Sequence, residues 1–323
     1  YAVSREGSAL DRVVVEIERA IARGVRVRLL LDALFHPKYP ELGERLARAG
    51  AEVREIDLRG PTGGVHHAKY FVVDGREAFV GSQNFDWRAL EHIQEIGVRL
   101  RDPVLVAQLA GLFERDWSAR GDADAGAAAG APWRASGPLR LAASPRGLLP
   151  DESAWDLPIL VEWIDRARRS VDVQLLTYKP AFRDKRPFSE LDDALRRAAS
   201  RGVNVRLLVS HWATREEAEV AALGRLGAVP GVIVRVIEVP RWSGGDIDFA
   251  RVAHAKYMVV DGARAWIGTS NWEGDYFYAS RNVSLFVDER GAASTLGRTF
   301  ERGWSASFTR PVPPAPRVSA EKR

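Results

Sequence analysis

The chain has 323 residues, enough for two domains of ordinary size or one duplicated unit. A hydrophobic fraction of 46% and a charged fraction of 28% predict a soluble globular protein, and a net charge of only +4 excludes a histone-like polycation. The chain contains no cysteine, which excludes disulfide bonds, thiolate metal sites and a cysteine nucleophile.

The first half of the chain opens with a helical pattern. Apolar residues recur at intervals of three and four over residues 9–22, which is typical of an amphipathic helix. Residues 25–31 form a short run rich in leucine and valine directly after a glycine, which predicts a buried strand. A helix that leads into a strand, repeated along the chain, predicts an α/β sandwich.

The second half repeats this order after a break. Residues 121–138 are rich in glycine, alanine and proline and lack periodicity, which predicts a linker. Residues 154–177 predict a helix followed by a strand, and residues 203–209 predict a further buried strand. The end of the chain, 311–323, is proline-rich and then charged, which predicts a flexible tail.

The predicted division of the chain is an N-terminal half, 1–120, and a C-terminal half, 139–310. The two halves differ in where they begin. In the C-terminal half the predicted helix and strand lead into Tyr178, and Tyr1 falls at the corresponding place of the first copy. We therefore expect the first copy to lack its opening helix and strand, through truncation of the chain rather than through an asymmetric duplication.

One pattern of residues occurs in both halves at a constant offset of 187 positions. The first copy is His67-Ala68-Lys69, Asp74, Gly81-Ser82 and Asn84, and the second is His254-Ala255-Lys256, Asp261, Gly268-Thr269 and Asn271. A match at the same offset between 113–119 and 300–306 extends the duplication to the predicted helix after each motif. An imidazole, an ammonium, a small hydroxyl and an amide therefore recur together.

Each motif lysine precedes an apolar run that ends in Asp-Gly, the strongest short-range signal for a β-hairpin with a two-residue turn. With such a turn, His67 lies opposite Ser82 and His254 lies opposite Thr269. Because side chains alternate between the two faces of a strand, the histidine, lysine, hydroxyl and asparagine of each motif share one face. The motif aspartates become turn residues, and His66 points to the opposite face as a structural residue.

Two such faces, related by the pseudo-twofold axis of the duplication, would meet across one cleft. A phosphate there would lie among side chains that offset its charge and donate hydrogen bonds, namely Lys69, Lys256, Asn84 and Asn271. One histidine attacks the phosphorus and forms a covalent phosphohistidine, while the other donates the leaving-group proton and then activates water. Because the lysines supply the positive charge, we expect no metal and no cofactor.

The pattern H-x-K-x4-D-x6-G-[ST]-x-N, present twice, resembles the phospholipase D superfamily over essentially the whole chain. Residues 81–90 and 268–277 are similar to the branch of mammalian lysosomal 5′ exonucleases and poxvirus envelope phospholipases, although the cysteines expected of the animal members are absent. The resemblance implies a phosphodiester hydrolase or transferase. Its expected fold is α/β, with two duplicated α/β/α sandwich halves packed with pseudo-twofold symmetry around one active-site cleft.

Many superfamily members carry a glutamate 28 residues after each motif histidine, and here those positions hold Glu95 and Asn282. The resemblance implies that Glu95 holds His67 in the tautomer required for attack, as an aspartate does in the serine triad. This asymmetry favours His67 as the nucleophile and His254 as the acid and base.

Six further residues are candidates for substrate binding: Ser82, Thr269, Trp87, Trp272, Tyr276 and His211. The hydroxyls belong to the motif faces. The aromatic residues follow the motifs and either stack on nucleic-acid bases or pack in the core. His211 follows a predicted strand, where ligand sites of α/β proteins gather, although a surface or hydrogen-bonded histidine is the reading we favour.

The motif recognises a phosphodiester and leaves open what is attached to it. We expect a 5′ exonuclease acting on single-stranded nucleic acid, and we keep as the alternative a phospholipase D or phosphatidyltransferase similar to cardiolipin synthase. A non-catalytic binding protein is disfavoured because both motifs are intact. A phospholipid substrate would bring a peripheral membrane contact, and the sequence defines no oligomeric state.

No run of the sequence approaches the ~18 apolar residues of a membrane span, so we expect a soluble protein. A composition rich in alanine and arginine favours a bacterial source. An extracytoplasmic location would follow if a signal or anchor preceded Tyr1, and the sequence itself leaves the compartment open.

Overall fold

The computed structural model describes residues 2–119 and 132–312, which we call the first and second halves. The strands are β1 (Ala2–Val3), β2 (Arg28–Asp32), β3 (Glu52–Ile56), β4 (Tyr70–Val73), β5 (Glu77–Gly81), β6 (Phe85–Asp86), β7 (Gly97–Leu100), β8 (Leu139–Ser144), β9 (Ser170–Leu175), β10 (Asn204–Ser210), β11 (Val232–Ile237), β12 (Tyr257–Val260), β13 (Arg264–Gly268), β14 (Asn282–Val287) and β15 (Thr309–Pro311). The helices are α1 (Ala9–Ala22), α2 (Glu41–Ala49), α3 (Arg59–Thr62), α4 (Trp87–Glu91), α5 (Pro103–Ser118), α6 (Asp156–Asp165), α7 (Glu190–Ser200), α8 (Glu217–Gly227), α9 (Gly274–Tyr278) and α10 (Arg290–Trp304).

The second half is built around an eight-stranded mixed sheet in the order β15-β11-β10-β9-β12-β13-β14-β8. Strands β9, β10 and β11 are parallel to one another, and the other neighbours are antiparallel. Strands β9, β12 and β14 are buried along almost their whole length, because helices cover both faces of the sheet. One face packs on α6, α7 and α8, and the other packs on α10 and on α5 of the first half.

The first half has a related order of elements, but its sheet is in separate pieces. Strands β4, β5 and β7 form an antiparallel sheet, β2 pairs with β3, and β1 pairs with β6. In the second half β9 joins β10 to β12, whereas no strand among the described residues joins β2 to β4. The pairing of Ala2 with Phe85 matches the bridge between Tyr178 and Trp272, so Ala2 takes the place of Tyr178, one residue from the predicted alignment.

The predicted α/β architecture with duplicated halves is confirmed. Helix α1 covers the predicted residues 9–22, and the hydroxyl of Ser8 caps it by accepting from the amide of Asp11 at 3.2 Å. The strands predicted at 25–31 and 203–209 are β2 and β10, which begin three residues and one residue later than predicted. Helix α6 and strand β9 occupy the segment predicted as a helix followed by a strand.

Both motif hairpins turn in three residues, so the predicted two-residue turn is wrong. Asp74 has the expected positive φ of 53°, but Val73 pairs with Glu77 and leaves three residues in the turn. The second hairpin has the same form. The extra turn residue moves the register by one position, so that His67 does not lie opposite Ser82 in the strand pairing.

The two halves join through a pair of backbone bridges that exchange roles under the duplication. His66 pairs with Arg281, and Gln94 pairs with Ala253. Ala253 is the residue 187 positions after His66, and Arg281 is the residue 187 positions after Gln94, so each bridge is the counterpart of the other in the duplication. The amide of each motif histidine donates to the carbonyl of the bridging residue opposite, at 2.9 and 2.8 Å. Each motif histidine is therefore attached to the other half of the molecule.

A buried ionic cluster reinforces one of these bridges. The guanidinium of Arg281, which is 1% exposed, donates to the carboxylate of Asp116 at 2.9 to 3.2 Å and to the backbone carbonyl of Leu148 at 2.8 Å. Asp116 also contacts Nε2 of His66 at 3.2 Å. His66 therefore has the structural role that its predicted direction indicates.

Two predicted segments fall largely outside the described residues. Of the predicted linker 121–138 the structure describes 132–138, which lead into β8. Of the predicted tail 311–323 it describes Pro311, which ends β15, and Val312. Across the two described ranges, no helix is both long and apolar enough to cross a membrane.

Candidate active site

The motif side chains of both halves converge on one buried site. His67 lies within electrostatic range of Lys69, Lys256 and His254, and Lys69 lies within range of Lys256 and Glu95. These five side chains come from opposite halves of the chain. The two motif faces thus meet at a single buried site, as the duplication predicts.

Glu95 contacts His254 of the opposite half, so the prediction that it orients His67 is wrong. Nδ1 of His254 donates to the two carboxylate oxygens of Glu95 at 2.8 and 2.9 Å. The contact follows from the bridge between Gln94 and Ala253, which sets the next residue of each segment side by side. Burial lowers the pKa of His254, and the negative charge of Glu95 partly offsets that effect.

His67 has an amide partner instead of a carboxylate. Its Nδ1 donates to Oδ1 of Asn282 at 3.0 Å. The amide orientation is fixed, because Nδ2 donates to the carbonyls of Tyr276 and Ser280 at 2.7 and 3.2 Å while Oδ1 also accepts from Thr269. The proton of the neutral ring is thereby held on Nδ1, and Nε2 keeps its lone pair. Burial, and then the charges of the two motif lysines, lower the pKa of His67 well below its ordinary value.

The two motif hydroxyls are buried and hold the partners of the histidines. Ser82 donates to Glu95, and Thr269 donates to Oδ1 of Asn282 at 2.8 Å. Each hydroxyl also accepts from the backbone amide of the residue after its partner, at 3.1 Å. The structure thus gives Ser82 and Thr269 a positioning role in place of the predicted substrate contact, because both hydroxyls are buried and donate their single proton to the partner of a histidine.

The motif lysines direct their ammonium groups to the backbone of the motif histidines. Nζ of Lys256 donates to the carbonyl of His254 at 2.6 Å, and Nζ of Lys69 donates to that of His67. Burial lowers the pKa of Lys256 to about 7 and the pKa of Lys69 well below its ordinary value. A phosphate anion between the lysines would raise both pKa values, so we expect substrate binding to be coupled to proton uptake.

Asn271 and Tyr276 form the wall of the site beside His67. Asn271 is 2% exposed, and its Nδ2 donates to the hydroxyl of Tyr276 at 3.1 Å. The ring of Tyr276 meets the ring of His67 edge on, with centroids 5.0 Å apart. Asn84, which is also buried, holds the equivalent motif position of the first half. These positions are compatible with the roles predicted for Asn84, Asn271 and Tyr276.

The remaining candidates for substrate binding differ in position. Trp272 is 1% exposed and packs in the core of the second half, so it offers no face for a base. Trp87 is half-buried at the start of α4 and meets the ring of His92 edge on at 5.6 Å. The charges that act on the pKa of His211 are those of Glu238, Arg215 and Arg310, all of which lie outside both motifs.

Sequence reasoning missed two contributors to the site. Asn282 interrupts the expected glutamate pattern, but its position 28 residues after His254 is itself the signal that it partners a histidine. Glu273 is the second contributor, because its charge acts on the pKa of Lys256. The signal for Glu273 is Asp86, another acidic residue 187 positions earlier.

The motif lysines are the candidate source of positive charge at the site. The structure places the two motif lysines beside both histidines, where they are positively charged when protonated. In residues 2–119 and 132–312, no group of three or more histidine, cysteine, aspartate or glutamate side chains is placed to hold a metal ion.

A known family matches most of the chain. The family model described as "Cardiolipin synthase, PLD-like domain" matches residues 9–117 and 160–304. The 5′-3′ exonuclease PLD3 of Homo sapiens is 32% identical over 333 residues, which cover 93% of this chain and 67% of the relative. The 5′-3′ exonuclease PLD4 of Mus musculus is 33% identical over 342 residues, which cover 94% of this chain and 67% of the relative.

Further matches agree in family and fold. The Caenorhabditis elegans protein named "Probable phospholipase D F09G2.8" is 31% identical over 335 residues, and the chain spans 60% of its length. Phosphatidylserine synthase of Haemophilus influenzae Rd KW20 shares the fold at a TM-score of 0.68 and 11% identity, over 96% of this chain and 80% of that one. The duplicated motifs, the convergent site and these matches show that the chain belongs to the phospholipase D superfamily and is an enzyme acting on phosphodiesters.

Proposed function

We propose that the protein is a metal-independent 5′ exonuclease that cleaves single-stranded nucleic acid through a covalent phosphohistidine on His67. The observation that carries the chemistry is the unequal pair of Nδ1 partners, an amide at His67 and a carboxylate at His254. The substrate and the direction are supported by the relatives PLD3 and PLD4, which are named 5′-3′ exonucleases.

The surroundings of His67 suit a nucleophile. An attacking imidazole must be neutral and must present the lone pair of Nε2. Asn282 holds the ring proton on Nδ1 without adding a negative charge that would favour a second proton. Burial and the motif lysines further disfavour the imidazolium form, so His67 stays neutral at a pH where an ordinary histidine is partly protonated.

The surroundings of His254 suit a general acid. The carboxylate of Glu95 stabilises the imidazolium, so His254 retains a proton more readily than His67 does in the same buried site. The roles are those expected from the sequence, but the reason is reversed. Glu95 acts on the acid and not on the nucleophile.

The reaction balances in two steps. Nε2 of His67 bonds to phosphorus, the bond from phosphorus to the leaving oxygen breaks, and His254 gives its proton to that oxygen. Water then attacks the phosphohistidine, His254 takes a proton from the water, and His67 leaves as the neutral imidazole. The two motif lysines and the two motif asparagines stabilise the charge that develops on the other phosphoryl oxygens.

Phosphatidyl transfer is the second candidate. The description of the matching family model as a cardiolipin synthase domain favours it. The same residues would serve, because an alcohol replaces water in the second step. A lipid substrate would also require peripheral contact with a membrane surface.

Trapping the intermediate tests the proposed chemistry. The His254→Ala variant lacks the group that activates water, so nucleotide should accumulate on His67 when the variant is mixed with a single-stranded oligonucleotide at mildly acidic pH. Peptide mapping by mass spectrometry should find this adduct, and the His67→Ala variant should carry none. An adduct on His254 in the His67→Ala variant, with none on His67 in the other, would reverse the roles.

A substrate panel separates the two candidate functions. One arm uses single-stranded oligonucleotides labelled at either end, and the other uses phosphatidylglycerol vesicles with a primary alcohol. We expect label to be released first from the 5′ end, with the His67→Ala protein as the control for contaminating nuclease. Phosphatidyl alcohol without mononucleotide release would favour the transferase.

A further inference from the structure

A loop of the second half, residues 238–253, lies directly before the motif of His254. The second half carries nine more residues than the first between its strand and its motif. The loop is hydrogen-bonded to the first half, because the backbone amide of Arg251 donates to the backbone carbonyl of His92 at 2.9 Å. The guanidinium of Arg88 also donates to the carbonyl of Asp248 at 3.1 Å. The loop that leads into His254 is thus attached to the first half of the molecule.

The loop holds two large aromatic rings at the surface. Trp242 is 42% exposed and Phe249 is 58% exposed. The ring of Trp242 lies 5.0 Å from the ring of His92, and a Cβ at Gly244 would meet the tryptophan ring at 2.4 Å. Phe249 has a φ of 59°, which a bulky residue rarely adopts and which the surrounding contacts must hold. Both rings are therefore held in place while much of their surface stays open.

Arginine side chains lie beside the aromatic rings of this region. The guanidinium of Arg88 lies 5.9 Å from the ring centroid of Phe249, but it is buried and paired with Asp86 at 2.6 Å. The positive charge open to a phosphate is therefore that of Arg215. Trp212 meets Phe249 edge on at 6.4 Å, and Arg215 lies 4.1 Å from the centroid of Trp212. An aromatic surface for a base beside a positive charge for the adjacent phosphate is the combination by which proteins bind single-stranded nucleic acid.

We propose that Trp242 and Phe249 form a stacking platform for the unpaired bases attached to the leaving oxygen. This inference rests on the proposed function. Phe249 precedes His254 by five residues, which span at most about 18 Å, so the platform lies within a few nucleotides of the scissile phosphate. On the proposed roles, His254 protonates the leaving oxygen, and we expect the loop that leads into it to contact the departing part of the substrate rather than the nucleotide bound to His67.

The test compares substrates that reach the platform with one that does not. The variants Trp242→Ala and Phe249→Ala are assayed with a single-stranded oligonucleotide of about 12 nucleotides, with a dinucleotide and with bis(p-nitrophenyl) phosphate. We expect each variant to lower the ratio of kcat/KM for the long oligonucleotide to that for bis(p-nitrophenyl) phosphate about tenfold. The wild type should cleave the long oligonucleotide with a higher kcat/KM than the dinucleotide, and each variant should lower the ratio of these two values about tenfold as well.

The matched control is Phe71→Ala, because Phe71 is 53% exposed on the β4–β5 hairpin of the first half. It should leave all three kcat/KM values unchanged. Ratios equal to wild type in the loop variants, or parallel losses on all three substrates, would overturn the platform. A loss confined to phosphatidylglycerol vesicles would identify a lipid contact and would also overturn it. A wild-type enzyme that cleaves bis(p-nitrophenyl) phosphate but no oligonucleotide would instead refute the proposed function.

Discussion

Replacing Glu95 by glutamine should shift the alkaline limb of the kcat/KM profile to lower pH. The carboxylate lies 2.8 Å from Nδ1 of His254, and an opposite charge at such a distance stabilises the imidazolium. The amide keeps the hydrogen bond and removes the charge, so His254 loses its proton at lower pH. We expect the limb to move by about one to three pH units, with about a tenfold loss of rate per unit above the new midpoint. Lys69 and Lys256 also lose the influence of this charge, which acts in the same direction.

The assay is the pH dependence of kcat/KM with bis(p-nitrophenyl) phosphate, and thermal unfolding verifies that Glu95→Gln is folded. The acid limb should stay in place, because it reports protonation of His67, on which Glu95 is not among the main influences. Glu77→Gln is the matched control. Glu77 lies at the start of β5 and forms ion pairs with the surface residues Arg99 and Arg101, not with a histidine. An unchanged alkaline limb would refute the reasoning. An acid limb that moves to lower pH would also refute it, because His254, the partner of Glu95, would then be the nucleophile.

Turnover is expected to survive EDTA, because the motif lysines supply the charge at the phosphate; a loss of kcat that one metal restores would contradict this. Asp156 is fully buried and its pKa is raised to about 7 by burial, so its stabilising contribution is complete below about pH 4 and is lost as the pH rises through 7. The free energy of unfolding of the wild type relative to Asp156→Asn should therefore fall by on the order of 4 kcal/mol between pH 4 and pH 7 in urea titrations, and a constant difference would count against it. Asp116→Ala leaves Arg281 buried without its carboxylate and should cost about 3–5 kcal/mol of unfolding free energy, whereas a loss below 1 kcal/mol would show that the ionic cluster is not what secures the joint.

The sequence predicts which side chains meet because their placement depends on local period and on the repeat. His67, Lys69 and their counterparts follow from the alternation of a strand, and the constant offset of 187 residues predicts two facing copies. Helix α1 follows from its apolar spacing and its serine cap for the same reason.

The partners of the histidines could not be predicted, because they depend on contacts between the halves. The bridges of Gln94 to Ala253 and of His66 to Arg281 decide that position 95 meets His254, and nothing local to either strand encodes them. The hairpin register was missed because one additional turn residue satisfies the same Asp-Gly signal. Burial of Trp272 is likewise a property of the packed core and not of the residues around it in the sequence.

Each motif histidine takes its Nδ1 partner from the opposite half, and this has a consequence for the orientation in which such a site binds its substrate. Two identical half-chains in a homodimer would carry the same residue at both partner positions and would accept a phosphodiester equally in either orientation. A single polypeptide lets position 95 be a glutamate and position 282 an asparagine. On the proposed roles of His67 and His254, a difference at these two positions, neither of them in the repeated motif, would favour binding of the substrate in one orientation.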